Sequence, residues 1–266
     1  MTIDEAGLAA RLLAAQAIAR EAGQLATRML ADRATLEIDL KGPQDFITSA
    51  DGAVEKLIAA RLRAAFPEDG LLAEEGAERT GVSGGLWVVD PIDGTANFAS
   101  GRPDWCVSIG LIADGRPEIG VIYQPPLDLL FAARRGAGAT CNRVPIAVAD
   151  RSLARATIGL DYSSRVSITQ HASQIIAVVT AGADYRRNGS AAVSLTQLAD
   201  GRLDGFAEDH LNAWDVVAGM VLVTEAGGWC SDFLAGDGLK SGNRFAAASP
   251  AIRDELSALL RSFEGI

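Results

Sequence analysis

The sequence predicts an α+β protein of stacked helix and sheet layers, and three features of its order carry that expectation. Apolar residues recur at helical spacing up to about residue 65, short strand-like runs fill the stretch to about residue 135, and strand and helix patterns alternate from Thr157 onward. Such an order calls for sheets whose apolar faces are covered by helices.

From Ile3 to about Asp32 the chain reads as one amphipathic helix. Leu8, Leu12, Ala15, Ile18, Ala22, Leu25 and Met29 recur at three- and four-residue steps, with Arg11, Arg20, Glu21 and Arg28 elsewhere around it. Gly42-Pro43 breaks the chain, and a second helix, from about Asp51 to Ala65, sets Val54, Leu57, Ile58 and Leu62 on one face and stops before Pro67. Leu86–Val89, Val107–Ile112, Ile119–Tyr123 and Leu129–Ala133 are apolar or alternating runs divided by Asp-Gly, Pro-Pro and Gly-rich breaks, the pattern of successive strands mostly in hairpins. Thr157–Leu160 is a strand, Ile168–Thr180 a helix, and Ala191–Ala199 a helix closed by Asp200-Gly201. Asn212–Glu225 is a helix stopped by Gly227-Gly228, Phe245–Ala248 a strand, and Pro250–Phe263 a closing helix with proline in its first turn. The expected organisation is an N-terminal α+β half, residues 1–150, and a smaller α/β half, residues 151–266, with a small-molecule cleft between them.

Of 266 residues, 48% are hydrophobic and 22% charged, which is ordinary globular usage with ample core material. Asp and Glu number 34 against 24 Lys and Arg, for a net charge of −10. That balance argues against a nucleic-acid polymer or an anionic membrane as partner, because binding to either depends on Lys and Arg. An acidic protein that handles an anion needs a local device, such as a metal ion or a helix N-terminus, to reverse the field. Cys106, Cys141 and Cys230 lie far apart with no CxxC, so neither a disulfide framework nor a zinc site follows. The two histidines are too few for a His-rich metal site; His171 reads as a helix-surface residue and His210 as a loop residue near the cleft. Asp4, Glu5 and Arg11 interrupt any signal-peptide core, and no apolar run approaches the ~20 residues that span a bilayer. A reducing, cytoplasmic location is expected.

The densest chemical signal is the segment from Trp87 to Phe98, in which Val88-Val89 runs into Asp90-Pro91-Ile92-Asp93-Gly94-Thr95. Two acids at the carboxyl end of a strand place two carboxylates in one tight turn. Hard divalent cations take carboxylate and carbonyl oxygens, so the Ile92 carbonyl between them is a third candidate ligand. Gly94 permits close backbone approach, Thr95 adds a hydroxyl, and a helix starting there aims free N–H groups at an anion. Glu74-Glu75 at the end of Leu71-Leu72-Ala73 sets like charges side by side, which either solvent or a cation must relieve. Asp215 stands near the start of an otherwise apolar helix, and Asp51 at another helix start, where an N-cap role would account for it.

Together these segments resemble the inositol monophosphatase family of Mg²⁺-dependent, lithium-sensitive phosphatases. Asp90 to Thr95 with Asn97-Phe98 matches its first signature without a gap, and Trp214-Asp215 through Ala218-Gly219 to Glu225-Ala226-Gly227-Gly228 matches its second. Asp45–Asp51, Glu74-Glu75 and Gly189-Ser190-Ala191-Ala192 fall in the family's order, so the likeness spans nearly the whole chain. The resemblance implies the layered αβαβα sugar-phosphatase fold and commonly a homodimer. It implies Mg²⁺ ligands at Glu74, Asp90, Asp93, Asp215 and the Ile92 carbonyl. It also implies an attacking water positioned by Glu74 and Thr95, with Asp51 orienting Thr95, and a phosphate taken by the backbone N–H groups of Gly94 and Thr95. The substrate side would use Asp93, Gly94, Thr95, Gly189, Ser190, Ala191, Glu208 and Asp215.

On that footing the expected substrate is a small phosphorylated polyol such as inositol monophosphate. Relatives that prefer inositol phosphate can carry His at the place of Asn212, and Ser190 stands where Thr is frequent; an N-cap role would also account for the serine. Arg165, Arg186, Arg187 and Arg244 are candidates to reach a second phosphate, and Lys41 lies close to a family lysine near the metals. Alternatives are a 3′(2′),5′-bisphosphate nucleotidase, a histidinol-phosphate or fructose-1,6-bisphosphate phosphatase, and a catalytically idle metal-binding regulator. Against the last, an idle protein gains nothing from clustered, unneutralised carboxylates. Gly136-Ala137-Gly138 lacks the third glycine of a dinucleotide fingerprint and reads as a hairpin turn.

Overall fold

The computed structural model describes residues 3–32, 36–42 and 45–261, with the backbone alone at 40–42, 45 and 261. Pro43, Phe263 and the side chains of Lys41 and Asp45, each singled out in the sequence, lie outside the described residues.

Helix α1 (Glu5–Ala31) begins at Asp4, whose side chain accepts from the Gly7 N–H at 2.8 Å. An antiparallel ribbon of β1 (Ile38–Gly42) and β2 (Asp45–Thr48) leads into α2 (Ser49–Ala65). The large sheet holds β3 (Gly70–Ala73), β4 (Glu78–Arg79), β5 (Gly85–Asp93), β6 (Cys106–Ala113), β7 (Arg116–Gln124), β8 (Leu129–Arg134), β9 (Ala139–Cys141) and β10 (Val144–Pro145), in spatial order β10-β9-β8-β7-β6-β5-β3-β4. The short helix α3 (Thr95–Ser100) follows β5. The second sheet holds β11 (Thr157–Leu160), β12 (Asp184–Arg186), β13 (Gly205–Leu211), β14 (Trp229–Cys230) and β15 (Asn243–Ala248), ordered β12-β11-β13-β15-β14. Its helices are α4 (Ile168–Thr180), α5 (Ala191–Ala199), α6 (Ala213–Glu225), α7 (Gly238–Ser241) and α8 (Arg253–Arg261).

These elements stack as five layers, αβαβα. Helices α1 and α2 cover one face of the large sheet, α5 and α6 fill the space between the sheets, and α4 and α8 cover the outer face of the small one. Each interface has its own apolar cluster: Ile58, Trp87 and Ile109 beneath α1 and α2, Leu195, Val217 and Phe206 between the sheets, Ile158, Val178 and Leu256 outside. Because both faces of the large sheet are covered, β6 is buried along its whole length. That is why its strands read as continuous apolar runs rather than strict alternations. Contact with α6 is close: a Cβ on Gly120 would sit 2.1 Å from the Ala218 carbonyl oxygen, and one on Gly110 2.7 Å from Val217 Cγ1.

The predicted hairpins β5–β6, β6–β7 and β7–β8 are antiparallel as expected, and the Gly136–Gly138 turn joins β8 to β9. Nine strands among the described residues are not apparent in the sequence, and three of them lead to residues of the cleft. Strand β3 is four residues long and runs parallel to β5, β12 is short and exposed, and β13 carries Glu208-Asp209-His210 in its second half. His171 is buried at 6% exposure against the Tyr162 ring, with centroids 5.3 Å apart, and is not a helix-surface residue. Among the described residues no helix is long and apolar enough to cross a membrane.

Candidate active site

Asp90 and Asp93 come from the end of β5, which pairs with β6 through Asp90 opposite Ser108 and shifts register before Asp93 opposite Cys106. The strand therefore runs through both acids as a bulge instead of ending in the expected tight turn. Pro91, which has no N–H for a ladder, sits in the bulge. Asp90 Oδ1 accepts from the Ile92 N–H at 3.0 Å, which fixes the kink. Asp215 arrives from α6, where Asn212 is the N-cap rather than the first helical residue; the Asn212 N–H donates to Asp215 Oδ2 at 2.6 Å in a reciprocal capping box. Asp215 thus serves the helix end and the cleft together. One carboxylate oxygen from each of Asp90, Asp93 and Asp215 lies within 4.8 Å of the others. Glu74 joins them from the end of β3, where its N–H donates to the Val89 carbonyl at 3.2 Å and its side chain lines the same cleft.

Asp51 is not the N-cap of α2; Thr48 is, and Asp51 is the third helical residue of a capping box. Its Oδ2 accepts from the Thr48 N–H at 2.8 Å and the Thr48 hydroxyl at 2.6 Å, and Oδ1 lies 3.2 Å from the Thr95 hydroxyl, which is also 3.0 Å from the Ile92 carbonyl. Asp51 is therefore both a helix cap and a carboxylate within hydrogen-bond reach of Thr95. Gly94 stands at φ +92°, and a Cβ there would meet the Asp104 carbonyl oxygen at 2.7 Å, so glycine alone fits. It is the N-cap of α3, whose first-turn N–H groups have no partner within the helix.

The facing wall starts at Gly189. Its N–H donates to Asp161 Oδ1 at 2.9 Å, and the neighbouring Asn97 Nδ2 donates to the Asn188 and Asp104 carbonyls at 2.8 and 2.7 Å. Ser190 caps α5, accepting from the Val193 N–H at 3.2 Å, and its hydroxyl donates to Asp93 Oδ2 at 2.7 Å. The Ala192 N–H donates to the same oxygen at 2.6 Å. The serine is thus N-cap and anchor of a site carboxylate together. Glu208, Gly189, Ser190 and Ala191 line one cleft of about 960 Å³ with Glu74, Asp93 and Asp215. His210 also lines it, from strand β13 and not from a loop.

Burial pushes the Asp90 carboxyl well above its ordinary range, and the charges of Glu74, Asp93 and Asp215 push it further. Burial does the same to Asp215, with Asp93 and Glu74 adding, and it raises Asp93 to about 6 against the hydrogen bonds from Ser190 and Ala192. Glu208 is driven up by burial and by Asp161, Asp215 and Asp93. The cluster is a set of hard oxygen donors, and the nearby charges of Arg165 on Asp215 and Arg187 on Glu208 do not offset burial and mutual repulsion. That donor set fits a hard divalent cation.

Of the four arginines weighed for a second anion, Arg165 and Arg187 line the cleft. Arg186 pairs with Asp184 at 2.6 Å, and Arg244 lies 3.6 Å from Asp209 on a separate cavity. Asp161 was not apparent as a site residue, although it follows the apolar strand Thr157–Leu160 in the same way that Asp90 follows Val88-Val89. That strand-then-acid pattern was the available signal. Asp161 is 6% exposed and holds both Gly189 and Ser194.

Comparison with known proteins agrees with this geometry. The profile of the inositol monophosphatase family matches residues 8–264. The Nus factor SuhB of Xylella fastidiosa is 40% identical over 225 residues, 82% of this chain and 80% of that protein. Among solved structures, the extragenic suppressor protein suhB of Bartonella henselae superposes with a TM-score of 0.90 at 36% identity, covering 97% of this chain and 100% of that one. An inositol monophosphatase from Anabaena superposes with a TM-score of 0.79 at 32% identity, covering 95% of each chain.

Proposed function

The chain belongs to the inositol monophosphatase family, and from that membership we propose that it is a Mg²⁺-dependent phosphomonoesterase that hydrolyses a small phosphorylated polyol such as inositol monophosphate. One observation carries the reading: the Asp90, Asp93 and Asp215 oxygens converge within 4.8 Å on the cleft, raised in pKa by one another and by burial. Glu74, Asp90, Asp93, Asp215 and the Ile92 carbonyl would hold the metal. When bound, Mg²⁺ supplies the positive charge that an acidic protein needs to receive a phosphate and makes water more acidic.

The chain's own groups do the rest. Thr95 donates its hydroxyl hydrogen to Asp51 and turns its lone pairs to the attacking water, whose proton Glu74 accepts. The Gly94 and Thr95 N–H groups at the start of α3 receive phosphate oxygens. Asp93, Asp215, Glu208 and the Gly189–Ala191 wall accept hydrogen bonds from the polyol or fit its ring. Phosphate-ester hydrolysis is among the slowest uncatalysed reactions, so most of the work is positioning and charge neutralisation. The same reading makes the protein lithium-sensitive, cytoplasmic and a homodimer.

Phosphate release at fixed Mg²⁺, with and without lithium, tests this on myo-inositol 1-phosphate, 3′-phosphoadenosine 5′-phosphate, fructose 1,6-bisphosphate, histidinol phosphate and glycerol 2-phosphate. We expect turnover of a polyol phosphate, inhibited by lithium and lowered at least about a thousandfold in Asp93→Asn. No release from any compound would overturn the reading.

The name Nus factor carried by curated relatives favours a second reading, association with a transcription factor. It predicts that Asp93→Asn keeps the protein's cellular role while losing phosphate release.

A further inference from the structure

Helix α2 turns two acids inward. Its buried face carries Val54, Ile58 and Leu62, yet Asp51 at 0% exposure and Glu55 at 5% share that face, four residues apart. Residues at that spacing are neighbours on one side of a helix. Asp51 already has a place in the site, with Oδ1 3.2 Å from the Thr95 hydroxyl. The bonds of Glu55 go to backbone instead: Oε2 accepts from the Glu75 N–H at 2.7 Å and Oε1 from the Ala77 N–H at 2.9 Å. A carboxylate taken from water needs donors in its place, and two amides supply them.

Those amides belong to the turn that carries Glu74. Strands β3 and β4 pair through Leu71 opposite Arg79 and Leu72 opposite Glu78, and Gly76, at φ +102°, stands in the reversal between them. The Ala73 N–H donates to the Ala77 carbonyl at 3.0 Å, which closes the turn. The Glu74 N–H itself donates to the Val89 carbonyl at 3.2 Å, on the strand that leads directly into Asp90. Glu55 takes the next amide along. The Glu74 backbone is thus tied on one side to β5 and on the other to α2.

An ordinary loop staple would account for the two bonds of Glu55 taken alone. The shared helix goes further. Thr95 and Glu74 are the two groups that the proposed reaction sets on the attacking water, and each has a carboxylate of α2 bonded to it or to the next residue. A helix rises about 1.5 Å per residue as one stiff element, so the two anchors keep a fixed separation.

We propose that Glu55 is a positioning residue: its grip on the Glu75 and Ala77 amides sets where the Glu74 carboxylate stands relative to Thr95 and to the cluster of Asp90, Asp93 and Asp215. The part played by Glu74, and with it this role of Glu55, rests on the phosphatase reading.

Glu55→Gln tests the role, because the amide keeps the size of the side chain but offers one acceptor oxygen where the turn needs two. Glu55→Asp keeps the charge and withdraws it by a methylene, which separates placement from the loss of a negative charge near the metals. Ser83→Ala is the stability control: it removes the 2.6 Å donor to Asp69, at the other end of β3, and leaves the Glu74 turn alone. Mg²⁺ affinity is measured by calorimetry, and kcat and KM by phosphate release from myo-inositol 1-phosphate at saturating Mg²⁺. Groups that hold a metal ligand in place are typically worth roughly 10–100-fold in affinity or activity. Both Glu55 variants should therefore bind Mg²⁺ about tenfold more weakly and lose about tenfold in kcat, with KM within about twofold of native. Ser83→Ala should match the native protein in all three.

Native Mg²⁺ affinity and kcat in both Glu55 variants, at equal folded fraction, would reduce Glu55 to a loop staple and overturn the proposal. So would a native-like Glu55→Asp beside a weakened Glu55→Gln, the mark of charge alone, or an equal loss in Ser83→Ala. Should the Glu55 variants not fold, amide exchange of the native protein decides. Without Mg²⁺ the Glu75 and Ala77 amides should exchange as slowly as those of the β5 ladder, and free-loop rates would overturn the grip. A native protein that binds Mg²⁺ and releases no phosphate would refute hydrolysis, while the Mg²⁺ affinities of the variants would still decide on Glu55.

Discussion

Two buried acid sites on the large sheet have opposite electrostatics. Asp69, with no exposed surface, receives Arg11 through two bonds of 2.7 and 2.8 Å, the Ser83 hydroxyl at 2.6 Å and the Trp87 indole N–H at 2.9 Å. Burial pushes its carboxyl up, but those donors and the Arg11 charge outweigh burial and hold it below the ordinary range. Asp90, 2% exposed, has among the described residues one hydrogen-bond donor, the Ile92 N–H, and is crowded by the charges of Glu74, Asp93, Asp215 and Asp51; its carboxyl is pushed well up, burial being the largest cause. Burial is therefore common to both, and the partners decide the sign. An acid supplied with its own cation ties α1 to the sheet, whereas Asp90, Asp93 and Asp215, which crowd one another with no guanidinium bonded to them among the described residues, make a place for a cation from outside.

The widest separation between the two sites should come from removing one charge at each. Asp69→Asn leaves Arg11 without its carboxylate and should lower unfolding free energy by about 3–5 kcal/mol, while Mg²⁺ still raises the melting temperature. Asp93→Asn should do the reverse, keeping or raising metal-free stability and losing most of the Mg²⁺-induced rise. A Mg²⁺ response that survives Asp93→Asn would break the comparison.

Titration sharpens it next. A carboxyl raised in the folded protein holds its proton where the unfolded chain has released it, so stability falls as pH rises through that interval. For Asp93, at about 6 against an ordinary 3.8, metal-free stability should drop by about 2 kcal/mol between pH 4 and pH 6. Asp69 has the opposite sign: its contribution is present above the ordinary carboxylate range and is lost as pH falls below it. Because metal binding displaces protons from the cluster, the Mg²⁺-induced rise in melting temperature should be larger at pH 8 than at pH 5. A rise independent of pH would contradict this account.

Smaller effects test the scaffold that brings the acids together. Gly120→Ala forces a methyl to within 2.1 Å of the Ala218 carbonyl and should cost about 1–3 kcal/mol by pushing α6, and with it Asp215, off the sheet. Denaturant unfolding measures the loss, and a neutral result would mean that α6 is free to shift. Smallest should be Thr48→Ala, about 1 kcal/mol for the lost cap. Its hydroxyl also holds Asp51 Oδ2, so turnover should fall further than stability alone explains.

Local chemistry made much of this protein legible from its residues. The long helix at the start, the hairpin strands β5 to β8 and the acid-rich end of β5 follow from side-chain period, turn residues and oxygen-donor spacing, all of which act within a few positions of the chain. Tertiary structure decided what depends on distant partners. Strand β13 carries three polar residues that no period marks as a strand, and it forms because β11 and β15 flank it. His171 is inside because Tyr162 covers it. Asp161 matters because β11 ends beside Gly189, and of four candidate arginines only the two at neighbouring strand ends face the cleft. The sequence by itself therefore determined which groups the protein carries and which elements form locally. The packing of two sheets about α5 and α6 decided which carboxylates meet, because charges interact through space and the spacing between Glu74, Asp93 and Asp215 exists only once the layers are stacked.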